Sequence, residues 1–164
     1  MLAIQGQVTY RPQRGYWVAE LAPADLDEIF LLRARLEPPA VARTLALAQE
    51  PRPQNWDSVA AFESASAAGA LADLVDASRD LHFGVFAGPT TRHAAGLIES
   101  LWNKLDAYLG PAYGRLEPQV AVKLHRQIAA AADEADADAT IGAVGRLRDL
   151  VAEALGIGVT PADR

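Results

Sequence analysis

An all-α fold, an antiparallel bundle of about six helices preceded by a short β-hairpin, is what this sequence predicts. Three observations carry that expectation. From Leu21 onward apolar residues recur at helical spacing, in stretches bounded by Pro, Gly or a capping residue. Ahead of them, Val8-Thr9-Tyr10 and Tyr16-Trp17-Val18 are rich in β-branched and aromatic residues, with Pro12 and Gly15 punctuating the gap. The composition, 51% hydrophobic and 22% charged over 164 residues, is that of a chain able to bury a substantial core.

The elements follow in order. Residues 2–7 read as a helix tail, and the two short strands after it form a ribbon that is marginal in water by itself. Pro23 and Asp25 open the first helix, where Leu26, Ile29, Phe30, Leu32, Arg33 and Leu36 supply the periodicity. Pro38-Pro39 is expected to interrupt it, with both prolines in the first turn of a continuation from Ala40 to Ala48. Pro51 and Pro53 end that element, and Asp57 or Ser58 caps an alanine-rich helix reaching Ala68, broken by Gly69. Ala70 to Phe86 follows, closed by Gly88-Pro89. Thr90 or Thr91 caps a helix with Leu97, Ile98, Leu101, Trp102, Leu105 and Tyr108 on its apolar face, which Gly110-Pro111 should stop. Glu117 to Ala132 and Asp136 to Leu155 complete the set, joined by a polar turn that also supplies a cap.

Charge narrows the partners. The net charge is −6, but residues 1–19 carry Arg11 and Arg14 and no acid, leaving −8 for the rest. If DNA is touched, the ribbon touches it and the helical body does not. The absence of cysteine excludes disulfides and thiolate metal sites. Neither a basic-then-apolar leader nor an apolar run of about eighteen residues is present, which predicts a soluble cytoplasmic protein without a membrane partner.

Candidate chemistry is sparse. His82 lies beside Leu81, Val85 and Phe86, and His125 between Leu124 and Ile128, so both face inward; His93 falls in a first turn and faces out. Two inward imidazoles on different helices can share a metal or clasp a carboxylate, or each can be a core histidine bonded to a carbonyl or water. There is no Ser-His-Asp triad, glycine-rich phosphate loop or paired-carboxylate signature, so no catalytic residue is assigned. Asp133, Asp136 and Asp138 lack the glycine and closing glutamate of a calcium loop and read as a solvated connection.

The order of these pieces resembles the FadR-type subfamily of the GntR transcription regulators, which join an N-terminal winged helix to an all-helical ligand domain, the FCD domain. Three stretches carry the likeness: Pro12-Gln13-Arg14-Gly15-Tyr16-Trp17-Val18 with its linker; Arg33-Ala34-Arg35-Leu36-Glu37; and the series Leu81-His82, Leu101-Trp102 and His125-Arg126-Gln127-Ile128. The resemblance implies that residues 1–21 are a wing remnant of a winged-helix DNA-binding domain whose recognition helix would precede Leu2. Residues 22–164 would then be a helical effector-binding and dimerisation domain. Arg11 and Arg14 would be the wing's DNA contacts, too few by themselves for tight binding.

For the effector pocket the resemblance implies a divalent metal (Zn, Ni or Mn) held by one aspartate and three histidines, gripping a small carboxylate. The aspartate position, four residues before His82, is Ser78; the second histidine matches His125; the third position, twenty-two residues later, is Leu147. With only His82 and His125 left, the metal site is incomplete and is expected to be weak or lost. The remaining effector-binding candidates are Arg33, Ser78, Arg79, His82 and His125, which could hold an anion directly. A shift of one residue would bring Arg146 or Arg148 into the pocket in place of Leu147.

The expected function is therefore an effector-sensing domain of a GntR/FadR-like regulator, not an enzyme. It would bind a small organic acid and, in a complete protein, control the binding of operator DNA as a homodimer. The alternative is a stand-alone small-molecule-binding or interaction module that has lost DNA binding.

Overall fold

The computed structural model describes residues 8–11, 15–18, 21–47 and 53–157. Two strands, β1 (Val8–Arg11) and β2 (Gly15–Val18), pair antiparallel with Val8 opposite Val18 and Arg11 opposite Gly15. Arg14 lies outside the described residues. Among the described residues six helices follow: α1 (Pro23–Leu45), α2 (Pro53–Ala68), α3 (Leu71–Phe86), α4 (Arg92–Tyr113), α5 (Pro118–Asp133) and α6 (Ala137–Ala154). The expected all-helical bundle with a leading hairpin is what the chain forms. Among the described residues, no helix is long and apolar enough to cross a membrane.

Three boundaries differ from expectation, and each difference has a physical cause. Helix α1 runs unbroken through Pro38 and Pro39. Leu26, Ile29, Phe30, Arg33, Glu37, Ala40, Val41, Thr44 and Leu45 form one continuous buried stripe across the two prolines. Pro39 lies on the exposed side and Pro38 is half-buried, and the carbonyl of the exposed Arg35, which loses its donor to Pro39, can turn to water. Helix α2 starts at Pro53 instead of after it, with proline in the first turn where its missing N–H costs little.

Helix α4 likewise continues past Gly110-Pro111 to Tyr113. Pro111 and Ala107, whose carbonyl the proline leaves without a donor, are both exposed, whereas the added turn buries Ala112 and Tyr113. Two residues expected on apolar faces are outside: Leu32 is 40% exposed and Leu97 59%.

The expected caps hold in part. Asp136 precedes α6 and its carboxylate accepts the Ala139 N–H at 2.9 Å. Thr91 precedes α4, but its hydroxyl donates to the Phe86 carbonyl at 2.8 Å and so ties the end of α3 to the start of α4. Between α2 and α3, Gly69 adopts φ +67 while the Ala70 N–H reaches back to the Ala65 carbonyl. A Cβ at Gly69 would meet nothing within 4 Å, so Gly69→Ala isolates backbone strain. It is expected to destabilise the protein by about 1–2 kcal/mol in urea unfolding without changing the fold.

The core is continuous through all six helices. Phe62, Leu81, Phe86, Ile98, Trp102, Leu105, Ile128 and Leu147 are essentially inaccessible to solvent. Helix α3 is the central element, packing against α1, α2, α4 and α5, while α6 closes the bundle on α1, α4 and α5. That placement encloses Ser78 and His82, the two polar residues on the otherwise apolar buried face of α3.

Candidate functional site

Helix α3 presents Ser78 and His82 on one face, one turn apart, and both are buried. The His82 Nδ1–H donates to the Ser78 carbonyl at 2.7 Å, which leaves a lone pair on Nε2. On α5, His125 repeats the device: its Nδ1–H donates to the Ala121 carbonyl at 2.8 Å. Its Nε2, 3.0 Å from Ser78 Oγ, accepts the serine hydroxyl. Tyr113, at the end of α4, donates to the same Oγ at 2.5 Å. These directions are the one assignment in which every group in the chain Tyr113–Ser78–His125 is satisfied. Phe62 of α2 stacks on the His125 ring with centroids 3.7 Å apart.

This enclosure sets protonation. Burial pushes His82 down to about 3, and the charges of Arg33 and Arg148 act in the same direction against its backbone hydrogen bond. Burial likewise brings His125 to about 3, with the neighbouring His82 contributing. Burial raises Tyr113 to about 12. Both imidazoles and the phenol are therefore neutral near pH 7.

Beside the imidazoles lies a buried charge cluster. Arg33 donates through Nε to Glu37 Oε1 at 2.6 Å, an i,i+4 pair on α1 whose side chains are 3% and 1% exposed. Arg148 of α6 approaches the other carboxylate oxygen at 3.4 Å and also Asp149, itself half exposed, at 3.4 Å. The Arg33 guanidinium sits over the Trp102 ring, 4.4 Å from its centroid, and the His82 ring is 5.0 Å from Trp102. Trp102 Nε1 is buried without a hydrogen-bond partner, and His82 Nε2 has none among the described residues. An arginine pair around one carboxylate, next to an unfilled N–H donor, is a setting for an anion.

The FCD domain family matches residues 28–148. This chain belongs to it. The fold agrees. E. coli McbR/YncC superposes with a TM-score of 0.80 at 18% identity, over 94% of this chain and 80% of that one. A transcriptional regulator GntR from Rhodococcus sp. RHA1 gives 0.76 at 17% identity, over 94% and 75%. A GntR family member from Pseudomonas syringae pv. tomato str. DC3000 gives 0.63 at 16%, over 97% and 68%. No curated protein matches the chain. The resemblance read from the sequence is thus borne out in family and fold.

Within this FCD domain, Arg33, Ser78, His82 and His125 come together from three helices, as expected. Arg79 does not join them. Its guanidinium, 5.9 Å from the Trp102 ring centroid, donates to Asn103 at 2.8 Å and to the exposed Asp106 at 2.6 Å and makes no hydrogen bond with Ser78, His82 or His125, because position 79 is rotated off the face that 78 and 82 share. Leu147 is buried at the implied third-ligand position. Its neighbour Arg148 reaches the site, while Arg146 stays near Gln127 at the surface.

Glu37, Trp102 and Tyr113 were not named as site residues from sequence, although Glu37 and Trp102 stand in stretches that carry the family likeness. Glu37 had a signal, since it stands four residues after Arg33 on one helix face. Tyr113 had none, because Gly110-Pro111 reads as a helix stop. The residues present do not fit a divalent metal. Ser78 is a neutral hydroxyl whose proton is committed to His125. Among the described residues, no group of three or more His, Cys, Asp or Glu could hold an ion.

Proposed function

We propose that this FCD domain is the effector-sensing part of a GntR/FadR-like bacterial transcription regulator, cytoplasmic and not an enzyme. It binds a small organic acid inside the helical bundle and, in a complete regulator, controls DNA binding. In this reading residues 22–164 bind effector and dimerise, and residues 1–21 are a wing remnant through which Arg11 and Arg14 contact DNA phosphates.

The observation that carries the reading is the enclosed Arg33–Glu37–Arg148 cluster beside the buried Trp102 Nε1, which has no hydrogen-bond partner among the described residues. Buried charge and unsatisfied polar atoms destabilise a fold, so a binding role accounts for their presence. Ligand contact with α1, α3, α4 and α6 together would bias the packing of the bundle, which is how a sensor transmits occupancy.

Calorimetric titration of small carboxylates against the full chain tests this. At least one acid is expected to bind saturably, one per chain, and Arg33→Met is expected to weaken it about tenfold or more. An absence of binding across the panel, with no change in tryptophan fluorescence, would remove the sensor reading. Separately, anisotropy with the upstream intergenic DNA decides whether this polypeptide touches DNA, through the presence or absence of salt-sensitive binding.

A further inference from the structure

We infer that the site is matched to a singly charged carboxylate with an apolar body, held by protein groups without a metal ion, and that it rejects dicarboxylates. This rests on the sensor reading and adds to it the ligand's charge and its independence of metal.

The charge count follows from the geometry. Arg33 and Glu37 are 3% and 1% exposed at the side chain and Arg148 13%, so the enclosed set carries two positive charges and one negative. Asp149, the other acid near Arg148, is 48% exposed and its charge is screened by solvent. Both imidazoles are neutral: His125 Nε2 accepts the Ser78 hydroxyl, which requires an unprotonated nitrogen there, and burial keeps the fully enclosed His82 ring uncharged against its backbone hydrogen bond. One anionic group therefore neutralises the cluster. A second would be buried close to the Glu37 carboxylate without a free cation, in surroundings where like charges repel strongly.

The donors and walls point the same way. Trp102 Nε1 is a buried N–H with no acceptor among the described residues, and Arg33 lies against the same ring. The rings packed against Arg33 and His82 are those of Phe30, Phe86 and Trp102, so a carbon skeleton admitted beside the carboxylate would meet aromatic faces. A dication would be opposed by the two guanidiniums near His82 and would find Ser78 and Leu147 in place of ionisable or imidazole ligands.

The test compares butyrate with succinate and benzoate with phthalate by calorimetry on the full chain. Within each pair the acids share a carbon skeleton length or ring and differ by one carboxylate. Each titration is run in EDTA and again with zinc chloride. The monocarboxylate of at least one pair is expected to bind about tenfold or more tighter than its dicarboxylate, equally well in EDTA and with zinc. Glu37→Gln should move the preference about tenfold toward the dicarboxylate. If that variant does not fold, the wild-type ranking decides alone. Dicarboxylates binding as tightly as their partners, or binding that needs zinc, would overturn the inference while leaving the sensor reading intact. No binding by any of the four acids overturns the inference, and failure across the wider panel is what removes the sensor reading.

Discussion

Glu37→Ala is expected to lower the unfolding free energy by about 3–5 kcal/mol, a large part of the stability of a domain this size. Glu37 is the one enclosed acid between Arg33 and Arg148, and its side chain is 1% exposed. Removing it strands the Arg33 guanidinium, which is 3% exposed and cannot swing into water. Arg148, at 13%, can reach outward, so the cost comes mainly from Arg33. The double variant Arg33→Met/Glu37→Met should recover most of the loss, because a buried pair replaced by apolar volume is close to neutral. Urea unfolding of the two single variants and the double measures this directly. A single Glu37→Ala variant as stable as the parent would mean that Arg33 is solvated, and the anion site would lose its physical basis.

Acid should destabilise the protein steeply from about pH 6.5 downward. His82 and His125 are both held at about 3 in the fold, below the value of 6.5 for an unfolded chain. Between those values the unfolded state binds more protons, so stability is complete above pH 6.5 and falls as pH falls toward 3. Each imidazole contributes a slope of up to about 1.4 kcal/mol per pH unit. The groups facing the pair are Arg33 and Arg148, which oppose protonation, Glu37, which favours it, and the neutral Ser78 and Tyr113. His125→Gln is expected to remove about half of the slope in urea midpoints measured between pH 6.5 and 4.5. An unchanged slope would show that His125 does not titrate in this window.

Much of the fold was legible because helical periodicity is a local property. Leu26, Ile29, Phe30 and Arg33 repeat at the spacing of one face, and the same logic locates α3, α5 and α6 within a residue or two. The prolines were misjudged for the complementary reason. A local rule scores the lost N–H of Pro38, Pro39 and Pro111, but not the burial of Ala40, Val41, Ala112 and Tyr113 that offsets it. Of the site, His82 and His125 were picked out by their apolar neighbours and Ser78 and Arg33 by family resemblance, whereas the side of α3 that Arg79 occupies was not legible.

By itself the sequence determined which stretches are helical, that cysteine chemistry is absent, and that two imidazoles face inward, since these depend on neighbours three or four residues away. Only the tertiary structure decided that Arg33 and Arg148, 115 positions apart, enclose the same carboxylate, and that Tyr113 and His125 meet on Ser78. The physical reason is that hydrogen bonds and charge pairing act over a few ångströms of space. Which side chains come within that range is set by how six helices pack, not by their order along the chain.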